Sequence, residues 1–551
     1  MERSRFEQIL IRRANRRAFL LGGAGAGLGV AVSLAGRPTR ARGAFQSTPV
    51  ASPTTATGVF TLGVASGHPT PDGVVLWTRL APDPIAEDGL GGMDPAPVEV
   101  TWEVASDEAF GQIVRSGTTL ARPELGHTVH VDLARLEPAS EFFYRFMAGS
   151  EVSPVGRTKT AAAAGTALDK FRFAFASCQH YESGFYTAYA DMATQDLDLV
   201  VHLGDYIYEG PDRGEEAISE GTIVRRHTGD EIMTLADYRN RYALYRTDPN
   251  LQAAHAAFPW SVTWDDHEVD NNYAAEFSQD GDPVPAFLER RAAAYQAYYE
   301  HMPLRPEALP VGPDMQLYRR LTFGNLAEIS VLDLRQYRSD HPCGDDTQVR
   351  CALALDPSTT MTGPDQERWL LEGLDASTAT WNVLAQQVMM GQLDLTPGTA
   401  AIYAGDLWDG YAGARNRILS HLMSRGTSNP VVITGDIHSS WVNDLKADFA
   451  DPASATIATE FVGTSITSGG DPDPDPEADA ASAAEAEALA AENPHIRFYE
   501  GAHRGYVLCE LTPGQWRSDY RFAGAVTTPD APVETAVSFV VEAGRPGAQP
   551  A

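Results

Sequence analysis

Positive charge is scarce in this sequence. Its 42 Lys and Arg residues face 74 Asp and Glu, a formal net charge of −32 at pH 7. A field of that sign repels nucleic acid, heparin-like polymers and anionic membranes, which argues against broad binding to polyanions. A phosphate-bearing substrate would need local compensation, and metal ions are its simplest source. Cysteine is scarce too: four in 551 residues exclude a disulfide-rich scaffold. No long apolar span follows the N-terminal segment, which argues against a stable membrane span in a mature protein. No internal repeat stands out, so a solenoid is not indicated.

What is present is ordinary for a folded chain of two or three domains, with 43% hydrophobic and 21% charged residues. Residues 1–44 carry Arg16 and Arg17, then Phe19, Leu20 and Leu21, then the mildly apolar GGAGAGLGVAVSLAG and small residues, the order of an export signal. NRRAFLL resembles a twin-arginine signal, which implies the twin-arginine export machinery as a partner and a secreted or extracytoplasmic location. An ordinary secretory signal with an incidental arginine pair is the alternative. Residues 45–57 read as a flexible Ser/Thr/Pro linker. Residues 58–160 hold short β-branched and aromatic runs between Pro, Gly and Asp turns, the pattern of a fibronectin-like β-sandwich. Residues 168–531 alternate short apolar runs with helix-like stretches and indicate a layered α/β domain. Within it, 470–493 is an acidic, low-complexity surface insertion, and 532–551 is a C-terminal segment. Cys343 and Cys351 flank a short polar loop and are expected to form a local disulfide. Cys178 and Cys509 either pair with each other or both stay reduced.

Four apolar runs of the α/β region end in chemistry-bearing residues. FRFAFAS leads into Cys178, and LDLVVHLGD into Asp205, with Tyr208 just beyond. WSVTWDDHEVDNN carries Asp265, Asp266 and His267, and NPVVITGDIHSSW carries Asp436 and His438. Singly, each has a plain explanation as a turn former, a cap or a hydrogen-bonded core group. Together they place several carboxylates at the carboxyl ends of strands in one domain. Without a cation these would repel one another, which points to a metal centre.

The order SCQ, GDYIYE, DDHEVDNN and GDIHSSW, with a leading β domain and an arginine-pair signal, resembles the PhoD-type alkaline phosphatase/phosphodiesterases. These belong to the calcineurin-like metallophosphoesterases, and the tyrosine ligand resembles that of purple acid phosphatases. The resemblance covers nearly the whole chain. It implies a layered α/β/β/α catalytic domain and one ferric iron with calcium, Fe3+ and Ca2+. By that resemblance Cys178 replaces the first-motif aspartate, Asp205 bridges the metals, and Tyr208 and His438 bind iron. Asp266 and Asp436 serve the metal pair. His267 contacts phosphate or protonates the leaving group, with Asp205 and His267 counted as catalytic. Asp in place of the Asn and His of relatives makes the second position rich in hard oxygen, which suits calcium. Asp265, Asn271 and Asn272 are possible additional calcium ligands, the two asparagines equally readable as turn formers. No clear counterpart exists for a histidine that many relatives supply, and Gln386 or Gln387 is where one would look.

The implied reaction is hydrolysis of small phosphate mono- and diesters, for phosphate acquisition, by direct attack of a metal-bound hydroxide. Arg335 and Arg504 are candidate phosphate clamps, though each reads more readily as a structural ion-pair partner. Three alternatives remain open at this level: a purple-acid-like phosphatase with two transition metals, a secreted phospholipase D, and a nonenzymatic calcium-binding adhesion module.

Overall fold

The computed structural model describes residues 58–213, 223–396, 398, 401–469 and 473–551. The signal and linker readings at 1–57, and the start of the acidic insertion at 470–472, lie outside the described residues.

The apolar runs become strands buried on both faces. In Phe171–Ala176, Phe171, Phe173 and Phe175 point into one core while Ala174 and Ala176 face another. This is the two-residue period of a β-strand with no solvated side. Phe171–Ala176, Leu199–His202 and Pro259–Val262 run parallel at the centre of a ten-stranded sheet. A second, seven-stranded sheet has Ala327–Val331, Trp381–Ala385 and Pro430–Thr434 parallel at its centre.

The two sheets face each other across a core that joins Phe173, Phe175 and Val201 to Val383, Val431 and Ile433. The outer face of the first sheet is covered by helices Leu235–Arg246 and Val284–His301 through a tyrosine-rich cluster including Tyr238, Tyr242, Tyr295 and Tyr298. Helices Gly363–Ala376 and Ala412–Arg425 cover the outer face of the second through Leu370, Leu374, Ile418 and Leu422. The layers are therefore α/β/β/α, behind an N-terminal β-rich region.

Two features differ from what sequence patterning suggests, and a third fills in what it leaves open. The N-terminal β region is not set apart from the catalytic layers. Its strand Val64–Thr70 pairs in parallel with Pro259–Val262, so it continues the ten-stranded sheet. Its other layer is a separate five-stranded sheet, and Leu76, Val100, Val131 and Phe146 fill the core between them. The acidic insertion is largely helical: Pro476–Glu492 forms a helix capped by Asp475, whose carboxylate accepts the N–H groups of Glu477 and Ala478. Alanine is a strong helix former, and low-complexity composition hid that preference. The C-terminal segment forms strands Val533–Glu542 and Arg545–Pro550, which extend the first sheet's edge.

Candidate metal centre

Parallel strands in both sheets deliver their carboxyl ends to the same place, where open α/β sheets present chemistry. Cys178 follows Phe171–Ala176, Asp205 follows Leu199–His202, Asp265 to His267 follow Pro259–Val262, and Asp436 and His438 follow Pro430–Thr434. Cys178, Asp205, Asp436 and His438 all hold positive φ, at 60°, 55°, 64° and 60°. Few non-glycine residues adopt that conformation, and such strain concentrates at functional sites. Gly204, before Asp205, has φ +110°, and a Cβ there would lie 2.4 Å from the Cβ of Asp265. Glycine is required for the two ligand-bearing loops to approach this closely.

The donors form linked groups: two share Asp205, and Asp266 ties the second of these to a third. Ligand atoms of Cys178, Asp205 and His438 lie within 4.8 Å of one another. Tyr208 joins them: its hydroxyl donates to Asp205 Oδ2 at 2.8 Å, lies 3.2 Å from His438 Nε2, and accepts from Ser468 at 2.7 Å. All four are buried, none more than 8% exposed. On the other side Asp205 clusters with Asp266 and His267, and Asp266 clusters with Asp265 and Asp436, each group again within 4.8 Å. Burial, opposed by the Arg335 guanidinium and reinforced by Asp266, Asp436 and Asp205, holds the Asp265 carboxyl well above the usual carboxylate range. Carboxylates packed this way cannot all be ionised without a cation. The donor chemistry fits two kinds of ion. Thiol, phenol, imidazole and carboxylate suit a transition metal, and the all-carboxylate group suits a hard, oxygen-seeking one.

Several supporting residues escaped sequence reading. Glu268 is buried, and it accepts the backbone N–H groups of Asp205 at 3.1 Å, Tyr206 at 2.5 Å and Asp265 at 2.8 Å. One carboxylate thus ties two ligand loops together. Burial and then Asp205 raise its pKa to about 8, against the pull of those three donors. Glu209 lies 2.6 Å from His267 Nδ1. Burial works against charge on His267, but the carboxylates of Glu209, Asp266 and Asp205 outweigh it and raise its pKa to about 10. The Glu of DDHE and the Glu of GDYIYE stood in the motifs, but nothing local says which loop each one holds.

The remaining predicted residues are placed as follows. Arg335 is fully buried and engages Asp265, with two further bonds to Asp406 at 2.9 and 3.1 Å. Asp406 also accepts from Arg338 at 2.7 Å and pairs with His341 at 2.8 Å. Arg504 is buried, and its donors go to the His438 carbonyl, to Thr464 at 2.6 Å and to the Gly501 carbonyl at 2.8 Å. Both arginines are buried beside the ligand loops, Arg335 on Asp265 and Asp406 and Arg504 on the His438 carbonyl. Asn271 gives its amide to Gln279 at 2.6 Å, and Asn272 gives its N–H to Asp266 Oδ2 at 2.8 Å. Gln386 is fixed by Trp408 at 2.7 Å. Gln387 donates to Thr263, Trp264 and Leu332, and its Oε1 is buried without a hydrogen-bond partner. Cys343 and Cys351 form a disulfide, whereas Cys178 and Cys509 do not.

Replacing Arg335 by Met is expected to cost about 3–5 kcal/mol, because Asp265 and Asp406 would each lose a buried guanidinium. Denaturant unfolding checks this, and an unchanged midpoint contradicts it.

Layered sheets of this architecture, with such donors at their strand ends, define a hydrolase of the phosphatase class. Residues 173–520 match the model of the PhoD-like phosphatase family, residues 46–162 match that family's N-terminal domain, and the chain belongs to this family. It is 51% identical over 535 residues to alkaline phosphatase D of Bacillus subtilis (strain 168), covering 97% of this chain and 88% of that protein. A solved structure of PhoD superposes with a TM-score of 0.85 at 51% identity, covering 91% of this chain and 93% of that one. The family resemblance read from the motifs is thereby confirmed, and the enzymatic reading replaces that of an adhesion module. Among the described residues no helix is long and apolar enough to cross a membrane.

Proposed function

We propose that this phosphatase hydrolyses phosphate mono- and diesters outside the cytoplasm, for phosphate acquisition, with Fe3+ and Ca2+ at the shared strand-end site. Cys178, Asp205, Tyr208 and His438 would hold the iron, and Asp205, Asp266 and Asp436 the calcium, with Asp265 close by. The observation that carries this reading is a chain of donor groups linked through Asp205 and Asp266, one end with sulfur, phenol and imidazole and the other, Asp265, Asp266 and Asp436, of carboxylates alone. The all-oxygen second group favours calcium over the two transition metals of a purple-acid-like site. When bound, the metals supply an activated water and neutralise charge that develops on the phosphoryl oxygens.

The protein's own residues do the rest. Asp205 is held at its backbone by Glu268 and at its side chain by the Tyr208 hydroxyl at 2.8 Å. Tyr208 is fixed by Ser468 and makes tilted ring contacts with His180 and His267, with centroids 4.5 and 4.2 Å away. His267, 12% exposed at its side chain, contacts phosphate or protonates the leaving oxygen. Arg335 and Arg504 keep the ligand loops in place rather than gripping substrate. The arginine-pair segment at residues 1–44 would direct export of the folded enzyme.

The test is hydrolysis of a phosphomonoester and a phosphodiester by the purified protein, before and after calcium chelation and after calcium is returned. Chelation is expected to remove activity on both esters and calcium to restore it. Activity indifferent to chelation would overturn the proposal.

A further inference from the structure

We infer that Asp345 and Gln279 are positioning residues that turn the amide of Asn271 so that its oxygen, not its nitrogen, is offered to calcium beside the carboxylate group. The inference rests on the iron and calcium reading above. Three side chains form a relay. Asn271 Nδ2 donates to Gln279 Oε1 at 2.6 Å, and Gln279 Nε2 donates to Asp345 Oδ2 at 2.9 Å. Asn271 and Gln279 are 9% and 8% exposed, so both amides work largely out of water. Asn271 also stands in the turn of the metal-binding residues. Its N–H bonds Glu209 at 3.3 Å, and the following N–H, of Asn272, bonds Asp266 Oδ2 at 2.8 Å.

The far end of the relay fixes the near end. A side-chain amide has one accepting oxygen and one donating nitrogen, and rotation by half a turn exchanges them. A carboxylate only accepts, so Asp345 takes the nitrogen of Gln279 and leaves Gln279 Oε1 toward Asn271. That oxygen also only accepts, so Asn271 must present Nδ2 to it. Oδ1 is then the remaining end of Asn271, and among the described residues no group donates to it. A neutral amide oxygen next to carboxylates is a donor type that calcium takes readily.

Asp345 is itself braced on both sides. It lies in the loop closed by the Cys343–Cys351 disulfide. Just beyond it, Thr347–Gln348 pairs antiparallel with Tyr403–Ala404, and the Gly405 N–H bonds the Asp346 carbonyl at 3.1 Å. A partner fixed in this way can orient a ligand from behind.

Calorimetric titration of calcium into the iron-loaded, calcium-depleted enzyme tests the relay. Asp345→Ala should weaken calcium binding by about 10–100-fold, the usual loss when the partner behind a ligand is removed. Gln279→Leu should lose as much, and the double variant no more than either alone, because the same relay is broken once. Iron content, and the thermal midpoint of the calcium-free Asp345→Ala protein, should match the parent's. Asp345→Asn keeps an oxygen that accepts from Gln279 and should bind calcium nearly as tightly as the parent, which loss of a nearby negative charge alone would not allow. Parental calcium affinity in Asp345→Ala, loss of iron along with calcium, additive losses in the double variant, or an Asn variant as weak as the Ala variant would each overturn the inference. Asn271→Ala and the parent separate the two levels. If Asn271→Ala binds calcium as the parent does, the inference fails while the iron and calcium reading stands. If the parent takes up no calcium, that reading fails and the inference with it.

Discussion

A Cys178→Ser protein is expected to fold, to carry no iron, and to lose activity by more than the roughly 10–100-fold typical of changes outside the ligand shell. Cys178 is 1% exposed and lies just beyond a strand buried on both faces, so serine in its place changes little volume. Its chemistry changes entirely. A thiol yields a thiolate ligand next to a metal, whereas a hydroxyl does not ionise readily there. The backbone is already committed: φ at Cys178 is 60°, its N–H bonds the Gly204 carbonyl at 3.1 Å, and its carbonyl accepts from Ser468 at 2.7 Å. Those bonds survive substitution, so a loss of iron and rate without unfolding isolates the sulfur. Parental iron content and rate would mean that Cys178 is only a small buried hydrophobe.

Asp205→Asn should be more damaging still, lowering hydrolysis by at least about a thousandfold, because Asp205 stands both with Cys178 and His438 and with Asp266 and His267. Removing its charge should release iron and calcium together. The metal-free variant should nevertheless be no less stable than the metal-free parent. It removes a charge from a buried cluster in which Asp205 helps to raise the pKa values of both Glu268 and Asp265. A metal assay with chemical denaturation of both apo forms reads this directly. Retention of either metal, or an apo form several kcal/mol less stable than the parent, would contradict the bridging role.

Much of the site was legible because it is local. Cys178, Asp205, Asp266, Asp436 and His438 each stand just beyond an apolar run, and the end of a run can be read without knowing what faces it. What could not be read is what lies across space. Glu268 holds the Asp205 loop from 63 residues away, and Asp406 meets Arg335 across 71. A guanidinium near carboxylates reads equally as a phosphate clamp or as an ion-pair partner until its burial is known. The N-terminal β region illustrates the same limit at the level of the fold. Its strands were visible from alternation and turns, but the parallel pairing of Ser66 with Pro259 that fuses it to the catalytic sheet left no local trace. The helix at Pro476–Glu492 was missed for a different reason, since alanine and glutamate favour both helix and a solvated low-complexity tract.

Elemental analysis of the purified, active protein tests the assignment of the two donor groups most directly. Iron together with calcium, with both lost in Asp205→Asn and only iron lost in Cys178→Ser, is the predicted result. Two transition metals without calcium, or calcium alone in an active enzyme, would contradict it.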